Sequence, residues 1–466
     1  MADRTSPSAP QVLELDDIQG ALLRKRPVPC VGSYLLLRVD SPPEGRQLLT
    51  RLLPHVASAD RWWAPPGGAW LSVALSHSGL RALGVPQESL DSFPKAFCEG
   101  MAARADRLGD TGESGPEHWD APLGSPEVHL VVASFAAGRE ALESLLEAVR
   151  EALRGLPAVQ LLHRLDVAQL PTGRTHLGFV DNISKPNVEG AGAPWSDRAG
   201  ADDPTHYGDP PGVGPPVKAG EFVLGCPDQL GQLASQPLPD ALRRNGTYVA
   251  LRKLHVKTAE FRRYLKANSS SPEGGELLAA KMVGRWRSGA PLVLAPVQDD
   301  PTLAADATRN NDFTYREQDP GGRRCPVGAH IRRMNPRSSP DDPMDVRRHC
   351  FLRRGTPYGP ELPEGQLDDD GAERGVVFLF MGTDLVRQFE FVKSQWTHDG
   401  NFAGLETEQD PLTGNRDGTA SFTVPLHPRP RRRQYGQLPR FVVTKGGEYL
   451  FMPGIRALRW IAGLDA

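Results

Sequence analysis

An α+β fold of two similar halves, each an antiparallel sheet covered by helices on one face, is the class this sequence predicts. Three observations lead to it. The chain has 466 residues, too many for one ordinary small core, so two domains of about 200 residues each are expected. Segments in the first half run in the order strand, helix, strand, helix, strand, which suggests a split βαβ arrangement. The second half repeats that order loosely.

After a disordered start, Asp16 to Leu23 introduces a strand-like run, Ser33 to Val39, followed by a helix from Gly45 to Val56 and a strand from Ala69 to Ala74. Val128 to Ala136 reads as a further strand. Leu142, Leu145, Leu146, Val149 and Leu153 then share one helical face before Gly155 ends it, and Val159 to Val167 returns as strand. Val188 to Lys218 is rich in Gly, Pro, Asp and Ala, too poor in apolar residues for a core, and reads as a long surface excursion near the domain junction. The domains are therefore set at 14–219 and 220–466.

In the second half Thr247 to Val256 is a strand, Thr258 to Ala267 and Leu277 to Trp286 are helices, and Gly375 to Met381 is a buried strand. Leu385, Phe389, Val392 and Trp396 follow at i, i+4, i+7 and i+11, one helical stripe. A second Gly/Pro/Asp-rich excursion, His398 to about Leu438, precedes the last strand, Phe441 to Met452, whose paired Gly446 and Gly447 suggest a turn between two apolar runs. A short terminal helix closes the chain.

A formal charge of −3 and a pI near 6.5 give no reason to expect a nucleic acid or other polyanion. Arg429 and Arg431 to Arg433 form a local basic run, broken by Pro428 and Pro430, that reads as a solvated loop. No uninterrupted apolar stretch is long enough to span a bilayer, and Met1 to Gln11 lacks the marks of an export signal, so a soluble, cytoplasmic protein without a membrane partner is expected. Five scattered cysteines, with no C-x-x-C pair, argue against disulfides, a zinc cluster and c-type haem attachment.

The stretch Cys325 to Arg337 places one imidazole, His330, after the small or apolar residues Pro326 to Ala329 and before Arg332, Arg333 and Arg337. Room beside the ring for a large flat partner, and guanidinium groups to meet acids on its rim, would suit a haem with its propionates. A core histidine in a basic loop is the plainer alternative, and Cys325 or Cys350 could supply a thiolate instead. Three further segments bear on the choice. Gly178-Phe-Val-Asp-Asn182 is a turn that can aim Asp181 into a cleft, although such residues commonly just accept backbone hydrogen bonds. Arg353 and Arg354 precede a Gly/Pro turn, and Arg440 to Gly454 surrounds the paired glycines.

Together with Asp17-Ile-Gln-Gly20 and Lys281-Met-Val-Gly-Arg-Trp286, these segments resemble the dye-decolourising peroxidases, along nearly the whole chain. The resemblance implies two ferredoxin-like domains with non-covalent haem b in the second, His330 as the proximal iron ligand, Asp181 as the distal acid/base and Arg353 as the distal cation. Arg332, Asn335, Arg337, Phe378 and Phe380 are further cofactor-binding candidates. By its position in the resembling family, Asp384 is the candidate carboxylate behind His330, its plainer role being to cap the helix it begins. The family's G-x-x-D-G ends here in Asn182, the non-glycine residue that best tolerates positive φ.

The expected function is a haem peroxidase that reduces hydrogen peroxide and oxidises phenolic compounds and synthetic dyes in one-electron steps. A haem-handling protein for haem uptake or iron release, and a non-enzymatic haem-binding module, are the alternatives. Trp396 and Tyr435 are candidates to pass electrons from dyes too bulky for a peroxide channel. A homo-oligomer is left open.

Overall fold

The computed structural model describes residues 12–24, 26, 29–60, 68–191, 213–337, 343–415, 418–429 and 431–464. The expected disordered start, residues 1–11, and residues 192–212 of the first excursion lie outside the described residues. The strands are β1 (Val31–Val39), β2 (Ala69–Leu75), β3 (Leu130–Ala136), β4 (Val159–Ala168), β5 (Pro186–Val188), β6 (Val213–Val217), β7 (Thr247–Val256), β8 (Leu352–Tyr358), β9 (Gly375–Gly382), β10 (Phe422–Pro425), β11 (Arg432–Tyr435) and β12 (Val442–Met452). Eight of them make one antiparallel sheet in the order β4-β1-β3-β2-β12-β7-β9-β8. The first four strands form one half and the last four the other. The halves meet where Phe451 of β12 pairs with Leu75 of β2, and the edge strands β4 and β8 approach each other, so the sheet curls towards a barrel.

Strands β1, β2 and β3 are buried on both faces, which explains why β1 reads as an unbroken apolar run rather than an alternation. Tyr34 and Leu36 of β1 share an inner core with Val249 and Leu251 of β7, Leu352 of β8 and Val377 and Leu379 of β9. Leu35, Leu37 and Val39 face outward under the helices Pro42–Leu52, Arg139–Leu153 and Ile455–Ala462. Each leucine so buried contributes roughly 2 kcal/mol. The Pro42–Leu52 helix starts before Gly45 because Pro42 and Pro43 suit its first turn.

Gln19 binds the halves together. Its Nε2 donates to Val73 O at 2.9 Å and to Pro453 O at 2.8 Å, while its Oε1 accepts from Val73 N. Asp17 accepts from Asn245 Nδ2 and from Arg456 N, both at 2.6 Å. The Asp17–Gly20 segment is therefore a structural clasp.

Three expectations change. The helix placed at Leu277–Trp286 runs Pro272–Val283, because Ser271 caps its start and Gly284, at φ 98°, ends it. Gly446 and Gly447 make no turn: β12 continues through them with a register shift against β7, a bulge. A Cβ on Gly446 would fall 2.5 Å from Leu123 and one on Gly447 2.2 Å from Met101 Sδ, so glycine lets the loop pack against the strand. The Leu385–Trp396 stripe is helical but wider than α, with π-helical segments Leu385–Glu390 and Val392–His398.

Candidate active site

In the second half of the sheet, the outward face leaves an open cavity of about 810 Å³, solvent at its mouth included, where the first half carries helices. Arg252 and Leu254 of β7, Arg353 of β8, Phe378 and Phe380 of β9, and Val442 and Thr444 of β12 face it. Register fixes these neighbours, since Arg353 pairs with Phe380 and Arg252 with Phe378. Gly355 stands opposite Phe378, where a Cβ would lie 2.5 Å from the ring. Phe351, Phe380 and Phe389 extend the aromatic wall, with ring centroids 5.5 and 5.2 Å apart. Gly109, Asp110 and Ser114, from a loop of the first half, complete one side.

His330 opens the short helix His330–Met334 and reaches the cavity with its side chain 23% exposed. Gly284 gives this helix its place, since a Cβ there would fall 2.5 Å from Ile331 Cγ1. His330 Nδ1 donates to Asp410 Oδ2 at 2.9 Å, and Asp410 is fully buried. The other Asp410 oxygen accepts from Leu412 N and Thr413 N, each at 2.8 Å. Burial alone would raise the Asp410 pKa, but the charge and hydrogen bond of His330, the Thr413 N–H and Arg333 outweigh it and hold the carboxyl well below its ordinary range. With Nδ1 committed as donor, Nε2 is left as a lone-pair nitrogen for a metal.

The carboxylate behind His330 is thus Asp410, and the candidacy of Asp384 is corrected. Asp384 caps the helix it begins, accepting from Val386 N at 3.0 Å and Arg387 N at 2.9 Å. Asp410 lies in the second Gly/Pro/Asp-rich excursion, which offered no periodic pattern. Gln409-Asp410-Pro411 carries only a turn signal, and that says nothing about a partner 80 residues away.

The three guanidinium groups near His330 also differ from expectation. Arg332 donates to Asp319 Oδ2, Asp319 O and Cys325 O at 3.0 to 3.2 Å. Arg333 donates to Gly328 O at 3.1 Å, Trp396 O at 2.8 Å and Glu408 O. Arg337 donates to Asn311 O at 2.7 Å and Phe313 O at 3.2 Å, while Asn335 accepts from Arg337 N. All three arginines are committed to holding the loop, and neither they nor Asn335 line the cavity. Nor do Pro326 to Ala329: the space at Gly328 is taken by Leu405, Arg333 and Phe422. The cations that do face the cavity are Arg353, Lys393, Arg440 and Arg252, the last held by Asp110 at 2.5 and 2.7 Å. Burial brings Lys393 down to about 8, and Arg440 donates to Thr111 O at 3.0 Å. Lys393 and Arg440 are the better placed to meet an acidic rim.

Asp181 follows Gly178, at φ 84°, and precedes Asn182, at φ 68°, so asparagine does take the left-handed conformation. Asp181 is exposed, and its Oδ1 accepts from Asn182 N at 2.6 Å. It is not part of the cavity wall itself, but it is close enough to Arg353 for its charge to be felt there. Burial lowers the Arg353 pKa and Asp181 raises it. Arg353 also reaches Ser184 O, just beyond this turn, at 3.5 Å.

Cys325 and Cys350 stay off the cavity wall, and burial pushes both thiols up to about 12, which disfavours thiolate ligation. Among the described residues no group of three or more His, Cys, Asp and Glu side chains could hold a bare metal ion. A single imidazole instead suits a metal already held by a macrocycle, and the aromatic wall with its cationic edge suits a flat, acid-bearing one. Trp396 lies outside the wall, half-buried among Phe391, His349 and Phe402.

Residues 67–167 match the family model described as the DyP dimeric alpha+beta barrel domain. A dye-decolorizing peroxidase of Mycena epipterygia is 32% identical over 427 residues, covering 84% of this chain and 76% of that protein. Another, from Auricularia auricula-judae, is 30% identical over 482 residues, covering 97% of this chain and 88% of its own length. The solved structure of a dye-decolorizing peroxidase in complex with 2,6-dimethoxyphenol aligns at a TM-score of 0.80 and 27% identity, over 97% of this chain and 100% of that chain. Likeness sustained over so much of both partners, in sequence and in fold, shows that the chain belongs to the dye-decolorizing peroxidase family.

Proposed function

We propose that this protein is a peroxidase that binds haem b without covalent attachment, reduces hydrogen peroxide and oxidises phenolic compounds and dyes in one-electron steps. The observation that carries the proposal is His330, backed by the buried Asp410, facing the same aromatic cavity as Arg353. Phenols as substrates find support in the relative solved with 2,6-dimethoxyphenol. The five cysteines are all free thiols, which supports a cytoplasmic setting.

His330 would hold the haem through Nε2, Phe378 and Phe380 would pack against its flat surface, and Lys393 and Arg440 would meet its acidic groups. Bound there, haem supplies an iron that exchanges electrons with peroxide and with the reducing substrate. The Asp181 carboxylate accepts the proton of incoming peroxide and returns it to the departing oxygen. Negative charge grows on that oxygen as the O–O bond breaks, and the Arg353 guanidinium stabilises it. Asp410 fixes the orientation of the His330 ring and draws on its Nδ1 proton, which makes Nε2 a stronger donor.

The test is to load the purified protein with haem, record its absorption spectrum, and follow peroxide-dependent oxidation of 2,6-dimethoxyphenol and an anthraquinone dye. Haem binding with turnover of both supports the reading. A loaded protein that turns over neither overturns it in favour of haem handling.

A further inference from the structure

The chain as a whole is acidic, at −3, yet Arg429, Arg431, Arg432 and Arg433 stand exposed together on the hairpin β10–β11. Among the described residues none of the four is ion-paired with an acidic side chain. They differ in this from Arg332, which pairs with Asp319, and from Arg333 and Arg337, whose guanidinium groups donate to the loop they hold. Four like charges within five residues of chain repel one another, so an anion that joins them removes a cost as well as adding attraction.

The hairpin also offers an aromatic floor. Alternation along β11 puts Arg433 and Tyr435 on one face and Arg432 on the other, and the Arg433 guanidinium lies 4.7 Å from the centre of the Tyr435 ring. Tyr435 is half-buried and pairs across the hairpin with Phe422, which is fully buried in an apolar core. Leu426, just after β10, is 37% exposed. Phe422 in turn stands against Gly328, two residues before His330, where a Cβ would lie 3.5 Å from its ring. The patch is therefore one side chain away from the loop that carries His330.

We propose that the β10–β11 hairpin is a docking site for anionic aromatic reducing substrates, sulfonated or carboxylated, distinct from the cavity. The proposal deepens the peroxidase reading and rests on it. Guanidinium groups match sulfonate and carboxylate oxygens in a two-pronged geometry and also stack on ring faces, so one short arginine run can hold both parts of such a molecule. Arg429 and Arg433 are four residues apart, so the chain between them spans at most about 14 Å. That suits one or two anionic groups and falls short of the many phosphate contacts on which nucleic-acid affinity depends.

The test uses the haem-loaded, full-length protein. Binding of a disulfonated anthraquinone dye is measured by equilibrium dialysis without peroxide, at low and at high ionic strength. The comparison is with the variant carrying Arg429→Gln, Arg431→Gln, Arg432→Gln and Arg433→Gln. These exposed residues lie outside the catalytic cavity, so 2,6-dimethoxyphenol turnover reports whether the variant is intact. We expect dye affinity to fall about tenfold or more in the variant, and in the parent as salt rises. KM for the dye should rise by a similar factor, with kcat and the KM for neutral 2,6-dimethoxyphenol unchanged. Equal dye binding by parent and variant overturns the proposal, as does tight binding of a single-stranded oligonucleotide that the dye fails to displace. Absence of peroxidase turnover in the parent would count against the peroxidase reading, while the dialysis result still decides whether the hairpin binds the dye.

Discussion

The Nδ1 atom of His330 lies 2.9 Å from Oδ2 of Asp410, whose remaining oxygen is held by two backbone N–H groups of the same turn. A buried carboxylate fixed in this way cannot swing aside, so the ring it orients has one nitrogen to present to the cavity. The consequence is open to test. Asp410→Asn keeps the shape and removes the charge, and should leave haem bound while raising the iron reduction potential. Peroxide activation should slow about 10- to 100-fold. Spectroelectrochemistry and stopped-flow absorbance measure the two effects, and a variant unchanged in both would deny Asp410 this role.

Asp181 and Arg353 should fail differently. Asp181→Asn removes the proton acceptor and should slow peroxide activation by about 10²- to 10⁴-fold. Arg353→Leu removes a fixed charge and should cost about 10²- to 10³-fold. Should Asp181→Asn react as fast as the parent while Arg353→Leu is crippled, Arg353 with ordered water becomes the account of proton transfer. The exposure of Asp181 makes this comparison decisive for its role.

Trp396 packs its ring 5.6 Å from Phe391 and 5.4 Å from His349, an aromatic cluster beside residues that line the cavity. Trp396→Phe and Tyr435→Phe are each expected to slow turnover of a bulky dye while peroxide activation proceeds at the parent rate. Steady-state dye kinetics set beside stopped-flow traces make the separation. Unaltered dye kinetics in both variants would remove these residues from the route.

Gly284 ties helix termination to the position of His330. Its φ of 98° and the 2.5 Å approach to Ile331 leave no room for a methyl group. Gly284→Ala should destabilise the fold by about 1–3 kcal/mol and weaken haem retention by shifting the His330 helix. Urea denaturation and haem titration read the two effects. Full haem affinity in a destabilised variant would show that the ligand helix tolerates the shift.

Lys281 is 2% exposed, and burial brings its pKa down to about 8 from 10.5. Between those values the unfolded chain holds a proton that the folded one has lost, so the parent gains stability as pH rises from about 8 to about 10.5. Relative to Lys281→Met that gain should reach about 3 kcal/mol, and below pH 8 the difference should be flat. Urea denaturation at a series of pH values tests the slope. Parallel curves for parent and variant would mean that Lys281 titrates normally.

Strands and helices were legible in the sequence wherever the reason for them is local. The apolar faces of β1, β7, β9 and the Arg139–Leu153 helix follow from residues a few positions apart. His330 could be singled out because a lone imidazole between small residues and arginines is an unusual local pattern. Local reasoning ended where contacts are made across the chain. The family resemblance paired His330 with Asp384, which stands where a helix begins and so has its own N–H groups to satisfy, while the tertiary fold supplied Asp410 from an excursion without periodicity. Local reasoning assigned Arg332, Arg333 and Arg337 to a partner's rim, although a loop with so many buried carbonyls needs those donors itself. Lys393 and Arg440 face the cavity because a widened helix and the residues leading into a bulged strand place them there. Burial, hydrogen-bond demand and approach between distant segments are properties of the packed chain, and they decided which charges serve the fold and which remain for the site.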